Sequence, residues 1–522
     1  VDLNAYYLLA LNQEANISVI DPLLGFGGSK LVTLVFLKSP GEDWALTSDR
    51  SKLFVSMPLV NLVAVVDTTT WKVVAEVSAG ARPTRIALQP DGKYLWVANE
   101  GAGAAGGVTA VDTASLKVAG AFRTGAGAHE IAFAEDNRAA FVTNRDDGTL
   151  SVIDVQRLEK LKDVKTGAPA SALAYSPLSK SLYVTNEADG GITVIDSRSH
   201  ELVTRIAAEP GLAGVRFAPG GRWGFVPNAV RSVVHIFDAS TNRMAHSVAV
   251  GKMPDQVAFT DTFAYVRSLG TEEVSAIRLN TVGHEPDVIK FPGGQNAPGT
   301  AGDFASRADA FVPAPEGGSV LIANPADKMI YYYSEGMAAP MGNFQNYKRE
   351  ARAVKVVDRS LREESLGVYS TTMRLPKDGT YDVSFLLGSP RVVHCFEAAA
   401  KPDPNAAQEQ AGLRVEYLNK EQSPRAGDSY KIRFKLTDPA TGRPKDGLKD
   451  VRVLFFLAPG IWQTRGIASD AGGGVYELEV NVPREGVYMV FVESQSQGVG
   501  FRELPYMTLQ TASAAQPAVG AK

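Results

Sequence analysis

Histidine, cysteine and methionine are where metal chemistry would show first, and this chain uses the first two sparingly. It holds 6 His and 1 Cys among 522 residues. The soft donors gather late, as Met329, Met337 and Met341, followed by His394 beside Cys395. Thioether and thiolate ligands favour Cu(I), so Met337, Met341, His394 and Cys395 form a candidate copper set. Adjacent strand residues point to opposite faces, which sets His394 against Cys395. The alternative is a core cysteine with gap-filling methionines. His200, His235, His246 and His284 are scattered, without HxH, HExxH or facial-triad spacing. One cysteine excludes an intramolecular disulfide, every CxxC site and a CxxCH haem attachment. There is no GxSxG elbow. GAGAAGG at 101–107 lacks the P-loop lysine and a following helix.

A second group is polar rather than soft. His129 and Glu130 stand in TGAGAHEIAF, just before an apolar segment. Arg85, Arg216 and Gln256 open comparable segments, in places taken as equivalent to Glu130, and Arg82 lies in a preceding turn. Guanidiniums converging on one place could grip a carboxylate or phosphate with forked hydrogen bonds. Solvated charge is the alternative for each of them.

What would bring these residues together is a repeat. RIALQPDGKYLWVANE, EIAFAEDNRAAFVTNRDDGTLSVID and ALAYSPLSKSLYVTNEADGGITVID share one plan. An apolar strand is followed by a turn, a strand ending in Asn, a second turn and a strand ending in Asp. The Asp recurs at 21, 67, 112, 154, 196 and 238, and the Asn at 99, 144, 186 and 228. A period of roughly 40–45 residues carrying four short strands is that of a β-propeller blade. No such sheet buries both faces alone, whereas a ring of them does. The mouth of the ring's central channel is lined by inner-strand ends, which is where His129, Glu130, Arg85, Arg216 and Gln256 fall.

Degenerate copies follow at 264–279 and 319–333, and AYYLLALNQEANISVID at the start matches the second and third strands of a unit. The first copy lacks an inner strand and the last a clear outer one. Eight blades are expected over residues 1–335, with seven as the alternative. Residues 336–400 read as a connector plus a small or half sandwich, 401–411 as a linker, and 412–511 as a β-sandwich. The tail at 512–522 reads as disordered. The fold class is thus all-β.

YLWVANE, AFVTNRD and LYVTNEA resemble the YVTN repeat family, which is similar to the propeller of cytochrome cd1 nitrite reductase and, more distantly, to the heavy subunits of quinone-dependent amine dehydrogenases. The later strands resemble immunoglobulin-like accessory modules of exported bacterial proteins. The resemblance implies a propeller scaffold and, by analogy, a partner such as a c-type cytochrome or another redox subunit. In the family His129 falls where Pro-His often precedes the inner strand, with Ala128 in place of Pro. Haem held there through His is one implication, and a turn histidine supporting the blade is the other. No cofactor is expected, with haem and copper as alternatives. A nitrous-oxide-reductase type of copper enzyme would need many more histidines in its propeller.

Composition narrows the class further. Lys and Arg number 53 against 57 Asp and Glu, for a net charge of -4, and no basic block suggests nucleic acid. No apolar run reaches the roughly 18 residues of a membrane span. The chain opens on Val1 rather than Met, which fits a removed leader and an exported protein. A non-catalytic binding or scaffold protein is the expected class. A redox subunit holding haem, quinone or copper at the channel mouth and an envelope or filament component are the alternatives.

Overall fold

The computed structural model describes residues 6–22, 30–100, 106–302, 307–371, 379–387, 391–401, 412–419, 424–457, 462–501 and 503–511. The linker at 402–411, the tail and most of the GAGAAGG stretch lie outside these residues. The chain divides into two compact units, Val1–Pro22 with Leu31–Thr372, and Leu23–Lys30 with Met373–Lys522.

The first unit contains eight four-stranded antiparallel sheets among the described residues. Seven are built from consecutive strands and open on the inner strands Trp44–Leu46, Pro83–Leu88, Ile131–Phe133, Ala170–Ser176, Arg216–Phe217, Pro254–Phe259 and Phe311–Pro313. The remaining sheet joins the two ends of the unit. Tyr6–Asn12, Asn16–Ile20 and Leu31–Phe36 supply three strands, and Ala351–Asp358 pairs antiparallel with Tyr6–Asn12 as the fourth. The outer strand missing from the last repeat is Gly342–Gln345. Both strands fall in the stretch read from sequence as a connector after residue 335. That boundary is corrected: the ring continues to Asp358, because an inner strand whose partner lies at the other end of the chain carries no repeat of its own.

Apolar side chains join each sheet to the next. Phe54 and Val65 pack with Leu95 and Val97, Phe141 and Val152 with Leu182 and Val184, and so on round to Leu321 and Ala323, which pack with Leu8 and Ala10. Leu9 and Leu11 complete the circuit against Val55 and Val66. Each sheet thereby buries both faces, as its doubly apolar strands require.

The repeat's polar letters are structural. Asp67, Asp112, Asp154 and Asp196 each accept backbone N–H groups two and three residues ahead, at 2.7–3.2 Å. The next residue then turns left-handed, as at Trp71, Leu116, Leu158 and His200. Asn144 donates to Thr149 and Ser151, while Asn228 donates to the Glu209 and Pro210 carbonyls and so ties neighbouring loops.

The second unit holds a long hairpin, Gly379–Leu387 with Val392–Ala400, and two four-stranded sheets between Arg414 and Thr511. Tyr430, Ile432, Phe434 and Tyr476 of one sheet share a core with Val453, Phe455, Tyr488 and Val490 of the other. This is face-to-face sheet packing.

Candidate functional site at the mouth of the ring

Strand register shows which inner-strand residues are equivalent. Trp44 lies opposite Val55, Ile86 opposite Val97, Ile131 opposite Val142, Leu173 opposite Val184 and Val257 opposite Val266. The residues immediately before them are Asp43, Arg85, Glu130, Ala172 and Gln256, and they form one layer. One residue beyond these reference positions is a second layer, Ala45, Ala87, Ala132, Ala174 and Ala258, set opposite Phe54, Trp96, Phe141, Tyr183 and Tyr265. Arg216 lies opposite Phe225 and so belongs to this alanine layer. The expectation that Arg216 is level with Glu130 is corrected: Gly214 holds that place, and Arg216 starts one layer, some 6–7 Å, further along.

The first layer is a ladder of alternating charge. Arg85 Nη1 is 3.4 Å from Asp43 Oδ2, and Arg85 Nε is 3.0 Å from Glu130 Oε2. Glu130 Oε1 lies 3.1 Å from Arg307 Nη1, and Arg307 also pairs with Glu100. Arg85 donates to the Arg307 carbonyl at 2.8 Å. Gln256 donates to the Ala308 carbonyl at 3.1 Å and accepts from Ala310 N–H at 2.8 Å, while Asp309 pairs with Arg216. Val354 N–H on the closing strand donates to the Asp309 carbonyl at 2.9 Å, so residues 307–310 form a strap tied to five inner strands and to the end of Tyr94–Glu100. Lys355, on the closing strand, stands 5.7 Å from the Trp44 ring.

Burial sets the electrostatics. It pushes the Asp43 carboxyl above its usual range, against the pull of Arg85 and the Ile86 and Trp44 amides. It pushes the Lys355 ammonium down, against the attraction of Asp309 and Asp43. Burial also acts to raise Asp309, but Arg216, Lys355 and Arg85 together outweigh it and hold that carboxyl low. Glu130 pushes the Arg85 guanidinium up, and it stays charged.

Beside the strap is a cavity of about 540 Å³. Arg85, Glu130, Arg216 and Gln256, four of the five channel-mouth candidates, line it together with Arg307. Leu173, Tyr175, Val215, Phe217 and Phe259 complete much of its apolar side. The fifth candidate, His129, is 1% exposed and is not among the lining residues. Its Nδ1 lies 2.7 Å from the Thr143 carbonyl and so donates its proton there. Burial pushes its pKa down, so the ring is neutral. Arg82 is a left-handed turn residue whose N–H donates to Asn61 Oδ1. Met337 and Met341 are exposed in the first unit, whereas His394 and Cys395 lie on the hairpin of the second. Among the described residues, no group of three or more His, Cys, Asp or Glu side chains could hold a metal.

Asp43, Glu100, Arg307, Asp309 and Lys355 escaped the sequence reading. A signal existed for three of them. Asp43 precedes WAL as Arg85 precedes IAL, and Arg307 and Asp309 stand just ahead of FVPAP, the inner strand of a weak repeat.

A family profile described as "Cytochrome D1 heme domain" matches residues 102–222. Among solved structures, "Dihydro-heme d1 dehydrogenase NirN in complex with DHE" is 14% identical, with a TM-score of 0.53 over 68% of this chain and 75% of that one. The first unit is a β-propeller, similar over residues 102–222 to that haem domain. AztD from Citrobacter koseri is 11% identical, with a TM-score of 0.52 over 68% of this chain and 98% of that one. No curated protein matches. At these identities the likeness concerns the fold, which hosts many activities.

The lining of the propeller's cavity holds no His, Met, Cys or Lys to ligate the haem named by the profile, and Tyr175 is its one described side chain of a haem-ligating type. His129 does not line it: its Nδ1 is bonded to the Thr143 carbonyl, while its buried Nε2 has no hydrogen-bond partner among the described residues.

No helix among the described residues is long and apolar enough to cross a membrane.

Proposed function

We propose that this chain is an exported, non-catalytic binding protein whose propeller docks a partner protein. A c-type cytochrome or another redox subunit is the partner class that the d1-like fold suggests. The supporting observation is the saturated ladder at the mouth. Arg85 and Arg307 are already neutralised by Asp43, Glu130 and Glu100, so the cations that would polarise a substrate there are engaged with the protein itself. A ring closed by its own two ends is a rigid platform, and its loops are the surface it offers.

Titration of the purified chain with ferric haem tests the non-catalytic half of this reading. The expected result is no stoichiometric Soret band. A one-to-one haem complex that is lost in His129→Ala would overturn the reading in favour of a haem-bearing subunit.

A further inference from the structure

The saturation of the mouth has an exception in Arg216. Its Nη2 serves Asp309, while among the described residues no hydrogen bond is made by its Nε or Nη1. The side chain is 38% exposed and lines the cavity beside the strap. The space around it has a clear origin in sequence. Ala172 and Gly214 stand where other blades carry Asp43, Arg85 and Glu130, and Ala174 belongs to the alanine layer. A Cβ added at Gly214 would meet nothing within 4 Å.

The wall has two characters. Leu173, Val215, Phe217 and Phe259 make one side apolar. Three guanidiniums, from Arg85, Arg216 and Arg307, stand against the carboxylates of Glu130 and Asp255. Asp255 is itself held by Arg267, with Nε 3.1 Å from Oδ1. Arg85 and Arg307 are offset by Asp43, Glu130 and Glu100, so among these guanidiniums Arg216 is the one with donors to spare, and it sits next to the apolar surface. Forked donors of this kind select planar oxyanions, while an apolar wall selects a hydrocarbon body.

We propose that this cavity is a binding site for a small organic carboxylate with an apolar body, anchored on Arg216. Binding is an exchange of carboxylates: the ligand takes the donors of Arg216, and Asp309 gives way. Because Asp309 is part of the strap, occupancy loosens residues 307–310 at the mouth. The site requires neither haem nor a docked partner, so its failure and that of the docking reading are separable.

Calorimetric titration of the full chain with 4-phenylbutyrate, and with 4-phenylbutanol as the uncharged control, tests the proposal. The carboxylate is expected to bind at least tenfold more tightly than the alcohol. Arg216→Met should weaken it at least tenfold, whereas Asp309→Asn, which strips Arg216 of its internal competitor, should tighten it. Gly214→Leu, at a position with open space and no left-handed backbone, should abolish binding with the fold intact by circular dichroism. Absence of binding to both the native chain and Asp309→Asn would overturn the proposal. So would binding that Gly214→Leu and Arg216→Met leave unchanged.

Discussion

Arg85 is the node of the mouth, and Arg85→Met measures what the node is worth. The substitution keeps most of the apolar stem and removes the guanidinium. Asp43 is 5% exposed at its side chain and keeps two amide donors, Trp44 N–H at 2.9 Å and Ile86 N–H at 3.0 Å. It loses the cation 3.4 Å away. At an effective dielectric near 20 that attraction is about 5 kcal/mol. Recovered desolvation of Arg85 returns part of it, which leaves a net loss of about 3 kcal/mol, in the range for breaking a buried pair from one side. The pH dependence carries a sign. The Asp43 pKa is raised in the folded chain, so its favourable contribution is fully present below the unfolded carboxylate range and is lost as pH rises through the folded pKa. Removing Arg85 raises that pKa further, so the deficit relative to the native chain should grow towards neutral pH and shrink near pH 4. Urea unfolding followed by tryptophan fluorescence at several pH values reads both quantities. A deficit below about 1 kcal/mol, or one that does not change with pH, would refute the assignment of Arg85 to a buried node.

Three further outcomes follow from the same structure. Arg267 is 2% exposed and pairs with Asp255, so Arg267→Leu should cost about 3–5 kcal/mol, and the double variant with Asp255→Leu should recover much of that in a denaturation cycle. Lys180 is an exposed residue held at φ 53°, and Lys180→Gly should gain about 0.5–1 kcal/mol by relieving the left-handed strain. A chain that stops before Ala351 would bare the edge of Tyr6–Asn12 and should aggregate, while one that ends at Thr372 should unfold cooperatively on heating.

The sequence disclosed the blades because their turns demand particular residues. Each Asp at a strand end caps the following turn, and each Asn binds loops or turns, so both recur with the period of the sheet. The closing strand also ends in an Asp, Asp358, which accepts Ser360 N–H at 2.8 Å, but it is out of phase with the repeat, and the partner of AVKVVD is more than 300 residues away in the chain. The site was legible in part for the same reason. Glu130, Arg85 and Gln256 are in phase with the repeat and do share a layer. Arg216 was placed one layer too shallow because it stands where five other blades carry Ala, and no residue type announces that substitution. The strap was missed because its partners are fixed by the ring's circumference: Arg307 reaches Glu100 and Glu130 from the far end of the unit. His129 stands where the resembling family often has Pro-His, and only the structure shows that its Nδ1 is bonded to the Thr143 carbonyl and that it does not line the cavity.

The docking claim is met most directly by purifying the chain gently from its native source, recording the visible spectrum, and cross-linking its lysines before mass spectrometry. The account predicts a colourless chain that travels with a second protein, cross-linked through Lys38 and Lys252, exposed residues on loops that lead into the inner strands. A Soret band carried by this chain alone, or a solitary chain with internal cross-links only, would contradict it.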